Sequence, residues 1–403
     1  MRACFVIARK TRGDMCMEQK QKQRVMLLYK EMIPSVRLCG HYQLSCLAEQ
    51  GKIDYRPRTL MQVSRADLNW ADIVLMCRLD NAYELYLARA LKKAGKRIVY
   101  VIDDDLLNVP RTLVSGAYYA QEETRACISA LMEISDAILS PSPVLLDKYA
   151  RGRQGILLEE PAIDPVPYTP RESGTPVKIG FAGSVDRTGD IEQILRESLL
   201  RIRDEYAERV EFVFFGAVPS FAAELKARCI PYCDSYDAYR DTLNGLKMDI
   251  GLAPMPDNDF YACKHYNKFI EYAAAGIVGV FSNVRPYDRI REKFGWPVMC
   301  GNRAEEWIGA IRQLLDHPEE LDRLKQRIAQ LAGGEFSIPV IAENLMAALD
   351  AIPVPEKQTP VKVNVLPVRK AFAQIKRIVS GVKRYGRKAP AIIRRKIRNM
   401  LSK

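Results

Sequence analysis

Histidine is scarce in this sequence. Only His41, His265 and His317 occur, and no Cys-X-X-Cys pair accompanies them. A structural zinc site draws on such residues at close spacing, so none is expected, and Cys229 with Cys233 reads as a chance pair. Long apolar runs are missing too. The opening MRACFVIARK is broken by charge after a few residues, which is too short for the core of a signal peptide. No stretch reaches the roughly 18 apolar residues of a membrane-spanning helix. These absences predict a cytoplasmic protein. The ten scattered cysteines (Cys4, Cys16, Cys39, Cys46, Cys77, Cys127, Cys229, Cys233, Cys263 and Cys300) then read as reduced thiols.

What is present is a normal globular composition with one lopsided end. The net charge of +12 is not a property of the whole chain. Residues 356–403 hold 15 Lys and Arg against the single acid Glu356, a charge of +14 that leaves −2 for residues 1–355. The body is electrostatically ordinary and the tail raises its own question. In PVRKAFAQIKRIVSGVKR (367–384) the residues Val368, Phe372, Ile375, Val379 and Val382 recur at helical spacing among basic residues. A basic amphipathic helix reads first as an element for an anionic membrane surface, here the inner membrane face. No nucleic-acid-binding module accompanies it, so nucleic acid is not expected as a partner.

Short apolar runs alternate with helical patterns through most of the chain. RVMLLY (24–29), IVLMCR (73–78), RIVYVIDDD (97–105) and DAILSPS (136–142) read as strands, with helices such as YELYLARALKKAG (83–95) between them. PAIDPVPYTPRESGTP (161–176) carries five prolines and is a linker. The alternation restarts with VKIGFAG (177–183), VEFVFFG (210–216), MDIGLAP (248–254) and IVGVFS (277–282), and closes on helical patterns at 304–316, 318–332 and 338–350. Strands alternating with helices give parallel α/β sheets. The expected organisation is an extension (1–23), a Rossmann-like domain (24–160), the linker (161–176), a second Rossmann-like domain (177–350), a second linker (351–366) and the basic tail (367–403).

KHYNKFIEYAAAG (264–276) carries the sharpest chemical signal. Lys268 opens a helix whose N-terminal end is already positive, and Glu271 shares its face. An anion resting on the free N–H groups of that terminus would explain the arrangement. On that view, removing Lys268 relieves an unfavourable charge in the unliganded protein. The simpler alternative is an intrahelical Lys268–Glu271 pair of about 0.2–0.5 kcal/mol.

Three stretches are similar to GT-B glycosyltransferases of the family-four-like kind that build bacterial surface polysaccharide. They are KIGFAGSVDRTGDIEQIL, MDIGLAPMPDNDFYACKHYNKFIEYAAAGIVGVFSNV and VYVIDDDLLNVP. The resemblance implies two doubly wound domains and a nucleotide-sugar donor. It places Glu271 on the ribose hydroxyls, with Asn267, Lys268 and Lys264 near the diphosphate. Gly183, Ser184 and Arg187 form a second candidate donor contact, or an ordinary βα turn. The family's second glutamate, eight residues before Glu271, is Cys263 here, and a thiol does not accept sugar hydroxyl hydrogen bonds as a carboxylate does.

On the N-terminal side Asp103, Asp104 and Asp105 end a strand, where alternation aims them in different directions. Asp104 and Asp105 are candidate catalytic acids or bases, or part of a polar turn. His41 is a further candidate if the first acceptor-side loop reaches it. The expected function is transfer of a sugar from a nucleotide-sugar to a glycan or lipid-linked acceptor, with no cofactor and no metal in the scheme. A non-catalytic scaffold of a glycan assembly complex and a sugar-nucleotide epimerase are the alternatives.

Overall fold

The computed structural model describes residues 22–233 and 235–363; the basic tail and nearly all of the N-terminal extension lie outside them. Six parallel strands form the first sheet: β1 (Gln23–Tyr29), β2 (Ile53–Thr59), β3 (Ile73–Cys77), β4 (Arg97–Val101), β5 (Ala137–Ser140) and β6 (Gln154–Leu157), ordered β2-β1-β3-β4-β5-β6. The second sheet holds β7 (Val177–Gly183), β8 (Val210–Gly216), β9 (Arg228–Ile230), β10 (Ile250–Ala253), β11 (Val278–Ser282) and β12 (Met299–Cys300), ordered β12-β11-β10-β7-β8-β9. Strands β1, β3, β4, β5, β7, β8, β10 and β11 match the sequence expectation. β2, β6, β9 and β12 were not foreseen. All lie at or next to a sheet edge, and IDYRPRT in β2 carries a proline and charges of the sort that edge strands tolerate.

Each sheet reverses its winding once, between β1 and β3 and between β7 and β10. Ligands of doubly wound sheets bind beyond the carboxyl ends of the strands at such a reversal. Both reversals open onto the cleft between the domains.

The sequence boundaries need two corrections at the C-terminal end. The helix Ile338–Asp350 was assigned to the second domain, yet Ile341, Ala342, Leu345 and Leu349 are buried in one cluster with Val25, Leu44 and Leu47 of the first. Its apolar stripe has no other sheet to cover. Residues 351–366 were read as a linker, but 357–363 lie packed along the first domain. Thr359 N–H donates to Ala94 O (3.0 Å), Val361 N–H donates to Asn69 Oδ1 (2.8 Å), and Val361 is fully buried. Gly95, at φ +73°, makes room for this strap, since a Cβ there would lie 2.3 Å from Lys357 O.

A polar seam joins the two domains where the linker begins. Glu159 receives His265 Nε2 (2.7 Å), Lys293 Nζ (3.0 Å) and Arg289 Nη2 (3.3 Å), all three from the second domain. Burial raises the Glu159 pKa, but the His265 hydrogen bond and the neighbouring cations outweigh it and hold the carboxyl well below its usual range. Burial likewise lowers His265, and its contacts with Glu159 and Glu160 reverse this to a net rise.

The linkage signs give opposite limbs. A raised histidine stabilises fully below its unfolded pKa of about 6.5 and loses that contribution as pH climbs through the folded value; a depressed glutamate stabilises above about 4.3 and loses it as pH falls. The seam is therefore strongest between about pH 4.3 and 6.5. Melting temperature measured against pH should fall on the alkaline side of this window, and His265→Gln should flatten that limb. An alkaline limb unchanged in the variant would remove His265 as its source.

Candidate functional site

The cleft between the facing sheets encloses a cavity of about 320 Å³. Its floor and walls come from residues just past strand ends: Ser35 after β1, Asp103 and Asp104 after β4, Gly183 ending β7, and Pro254 after β10.

On the first domain's wall, Arg78 follows β3 with φ +51°, a left-handed backbone uncommon outside glycine. Its Nη1 donates to Asp103 Oδ1 (2.8 Å), Asp104 Oδ2 (3.3 Å) and Ser35 Oγ (3.2 Å). Asp104 also accepts from Lys264 Nζ at 2.6 Å, so one carboxylate bridges a cation from each domain. Burial raises the Asp104 pKa, and Lys264 and Arg78 override it, keeping the carboxyl ionised.

Asp105 is turned the other way. It is buried away from the cavity and accepts from Tyr149 Oη (2.5 Å), Lys148 Nζ (3.0 Å) and Asn108 Nδ2 (3.0 Å). The strand-end alternation read from the sequence separates it from Asp104, and its hydrogen bonds hold it inside the first domain rather than at the cleft. Cys263 meets this same group, with Sγ 3.0 Å from Lys148 Nζ and 3.6 Å from Asp105 Oδ2. Fully buried, Cys263 faces the first domain's interior. His41 is also outside the cavity lining. The chain turns helical at Pro34, directly after the β1 loop, so His41 lies further along and points back to β2, with Nδ1 2.9 Å from Tyr55 Oη.

On the second domain's wall, the helix Asn267–Ala274 begins at the cleft without a side-chain cap. Lys268 Nζ donates to Glu271 Oε2 at 2.5 Å and to Tyr239 Oη at 3.1 Å, and both charged side chains are largely buried. In the unliganded protein this pair answers the misplaced lysine without an anion. Removing Lys268 leaves a largely buried carboxylate without its cation, so the expected relief does not apply. Tyr239, which stacks on Phe215 with ring centres 5.0 Å apart, ties the pair to the sheet. The sequence reading missed Tyr239 and its neighbour Tyr236, although their i, i+3 spacing places both on one helical face.

Gly183 lies against the same pair. A Cβ there would stand 2.9 Å from the Phe181 ring and 3.4 Å from Lys268 Cε. Ser184 Oγ accepts from Asp186 N–H (3.3 Å) and caps a short turn. Arg187 lines the cavity with its guanidinium committed: to Pro254 O (2.5 Å), to Asp190 Oδ2 (2.8 Å) and, 4.8 Å away, to the Tyr261 ring. The cleft thus gathers Asp104, Lys264, Asn267, Lys268, Glu271, Gly183, Ser184 and Arg187, and leaves Asp105 and His41 out. Its arrangement of paired charges around a helix terminus suits a ligand with both anionic and hydroxyl groups.

No protein-family model matches the sequence, and no curated protein does. Solved structures match its shape. A sucrose-phosphate synthase from Thermosynechococcus elongatus has a TM-score of 0.57 at 12% identity, covering 82% of this chain and 98% of that one. HepE of Anabaena in complex with UDP and glucose gives 0.54 at 11% identity, over 82% of this chain and 100% of that one. A putative UDP-N-acetylglucosamine 2-epimerase from Listeria monocytogenes gives 0.51 at 15% identity, over 84% and 100%. With its two doubly wound domains and a charged cleft at their facing strand ends, the chain has the GT-B fold.

Proposed function

We propose that this chain transfers a sugar from a nucleotide-sugar donor to a glycan or lipid-linked acceptor, in the assembly of cell-surface polysaccharide. The observation that carries the reading is the Lys268–Glu271–Tyr239 cluster at the open N-terminus of the helix Asn267–Ala274, beside Gly183. Glu271 accepts ribose hydroxyls, and the helix terminus with Lys268 and Lys264 receives the diphosphate. Asn267, Ser184 and Arg187 border that space.

Bond breaking is then favoured where negative charge develops on the departing diphosphate, because fixed N–H dipoles and cations already face it. Asp104 is the acceptor-side carboxylate in reach of the cavity and is proposed as the group that orients the acceptor hydroxyl. No cofactor or metal is part of this scheme. HepE holds UDP and glucose, which makes UDP-sugars the first donors to test.

The likeness to a putative 2-epimerase supports a second reading in which the same cleft isomerises the donor. Incubation with a panel of radiolabelled nucleotide sugars separates them. Glycan product or donor hydrolysis supports transfer, an altered nucleotide-sugar supports epimerisation, and binding without turnover returns the scaffold alternative.

The basic tail is proposed to hold the protein at an anionic membrane surface, each nearby basic residue contributing about 1 kcal/mol. Among the described residues no helix is long and apolar enough to cross a membrane. A chain ended after Val363 keeps the packed strap and loses the tail. In flotation with anionic vesicles at low salt the full chain should rise with the lipid and the shortened chain should stay below. Full-length protein that ignores the vesicles would overturn the membrane role.

Two substitutions probe the donor site. Glu271→Gln should lose charge-assisted hydrogen bonds of about 1.5–3 kcal/mol and weaken nucleoside diphosphate binding roughly ten- to a hundredfold. Calorimetric titration reads this directly, and an unchanged dissociation constant would remove Glu271 from the site. Lys268→Ala should lower the melting temperature of the unliganded protein, at a cost on the order of 1–3 kcal/mol, because Glu271 is left without its cation. A variant as stable as the parent would mean that the pair contributes nothing before the ligand arrives.

A further inference from the structure

Glu159 and Glu160 are neighbours in the chain and are treated in opposite ways. Glu159 is saturated by His265, Arg289 and Lys293. Glu160 is 6% exposed, and among the described residues its hydrogen-bond donor is a thiol, Cys39 Sγ at 3.6 Å. Burial and the Glu160 charge push that thiol's pKa up, so it stays a weak neutral donor. The nearest cation is the His265 ring, whose Nδ1 stands 3.7 Å from Glu160 Oε2, outside hydrogen-bond reach. Nδ1 is itself buried without a hydrogen-bond partner.

A carboxylate has about four lone-pair sites, and leaving them unmet in a buried position is costly. Glu160 therefore holds acceptor capacity that the protein does not use. Its place gives that capacity a destination. Glu160 lines the cleft cavity together with His265, Asn267 and Glu271, and it also lines a small neighbouring cavity, which Tyr236, Tyr239 and Glu271 share. The carboxylate that the sequence lacks at Cys263 is thus not the only one available to the cleft.

We propose that Glu160 is a second hydroxyl-accepting carboxylate of the cleft, reading hydroxyls of the nucleotide-sugar beside those held by Glu271, and that His265 is its positioning residue. His265 is fixed through Nε2 by Glu159, so the ring cannot turn away, and Nδ1 faces Glu160 from below. The proposal rests on the donor-binding reading of the cleft. Ribose and the transferred sugar offer the same hydroxyl chemistry, and the test separates them.

Calorimetric titration of the full chain with UDP and with UDP-glucose, or with GDP and GDP-mannose where the donor panel selects guanosine, compares the parent with Glu160→Gln. Ribose recognition by Glu160 weakens both ligands by about tenfold or more; sugar recognition weakens the nucleotide-sugar by that factor and spares the diphosphate. Affinities within about twofold of the parent for both ligands would overturn the proposal while leaving the donor site standing. A parent chain that binds neither nucleotide-sugar would overturn the reading beneath it instead. The melting curve of Glu160→Gln reports any folding defect in that variant, and His265→Gln, which leaves the Glu160 carboxylate in place, tests the positioning role. A positioning role predicts that it raises KM for the nucleotide-sugar with kcat little changed, and that Glu160→Gln adds nothing further in the double variant. A full additive loss in the double variant would show that His265 does not act through Glu160.

Discussion

The cleft depends on how one short stretch, Cys263 to Glu271, divides its side chains between partners. Cys263 enters the first domain and meets Lys148 and Asp105. Lys264 reaches Asp104 on the opposite wall, His265 grips the start of the linker at Glu159, and Lys268 turns back to Glu271. Residues of one stretch thus fix the facing domain, the linker and the helix Asn267–Ala274. The spacing between the two walls follows from these contacts, because moving any one of them strains the others along the same backbone. A cavity of about 320 Å³ is what remains between them.

The lysines and arginines of this cleft are paired before any ligand arrives. Lys264 has Asp104, Lys268 has Glu271, Arg187 has Asp190, and Arg78 has Asp103. Unpaired cations in a half-buried cavity would carry a desolvation cost that packing cannot offset, so the unliganded protein keeps each one matched. On the proposed function, a nucleotide-sugar would enter by exchange rather than by addition: its phosphates would replace a carboxylate as the lysine's partner, and the released carboxylate would accept its hydroxyls. Inorganic phosphate offers only the first of these two groups.

The fold was legible where the sequence pattern is strong and short-range. Eight of the twelve strands are buried runs such as IVLMC and VFF, and burial on both faces of a parallel sheet demands such runs. The four that were missed lie towards the edges, where one side faces solvent and IDYRPRT or RCI serves as well. In the site, KHYNKFIEYAAAG pointed to the cleft because a lysine at a helix N-terminus is anomalous on its own. Asp105 misled because alternation says that neighbouring side chains diverge but not which of them faces the cavity, and His41 because it lies well past the strand and turns back to β2. Glu160, Arg78 and Tyr239 gave no local anomaly. Their roles arise from residues 25 to more than 100 positions away, and no pattern within a window of sequence carries that information.

The return of the chain to its first domain has a consequence for how the two halves move. The main chain crosses between them at the start of the linker, where Ala162 N–H bonds Phe336 O, and near Ser337, where the helix Ile338–Asp350 departs for the first domain's core. These crossings are adjacent, so they form one hinge line rather than two independent tethers. Beyond the helix, Arg65 Nε donates to Val361 O (3.2 Å) and Lys96 Nζ to Gln358 Oε1 (2.8 Å), fixing the strap on the first domain. Val363, packed against that domain's core, therefore belongs to the first domain. Any surface that the basic tail engages would hold that domain directly, and the second domain is joined to it through the hinge line, the seam and the Lys264–Asp104 and Cys263–Lys148 contacts. Movement of the second domain about the hinge line would therefore have to break the Lys264–Asp104 pair across the cleft.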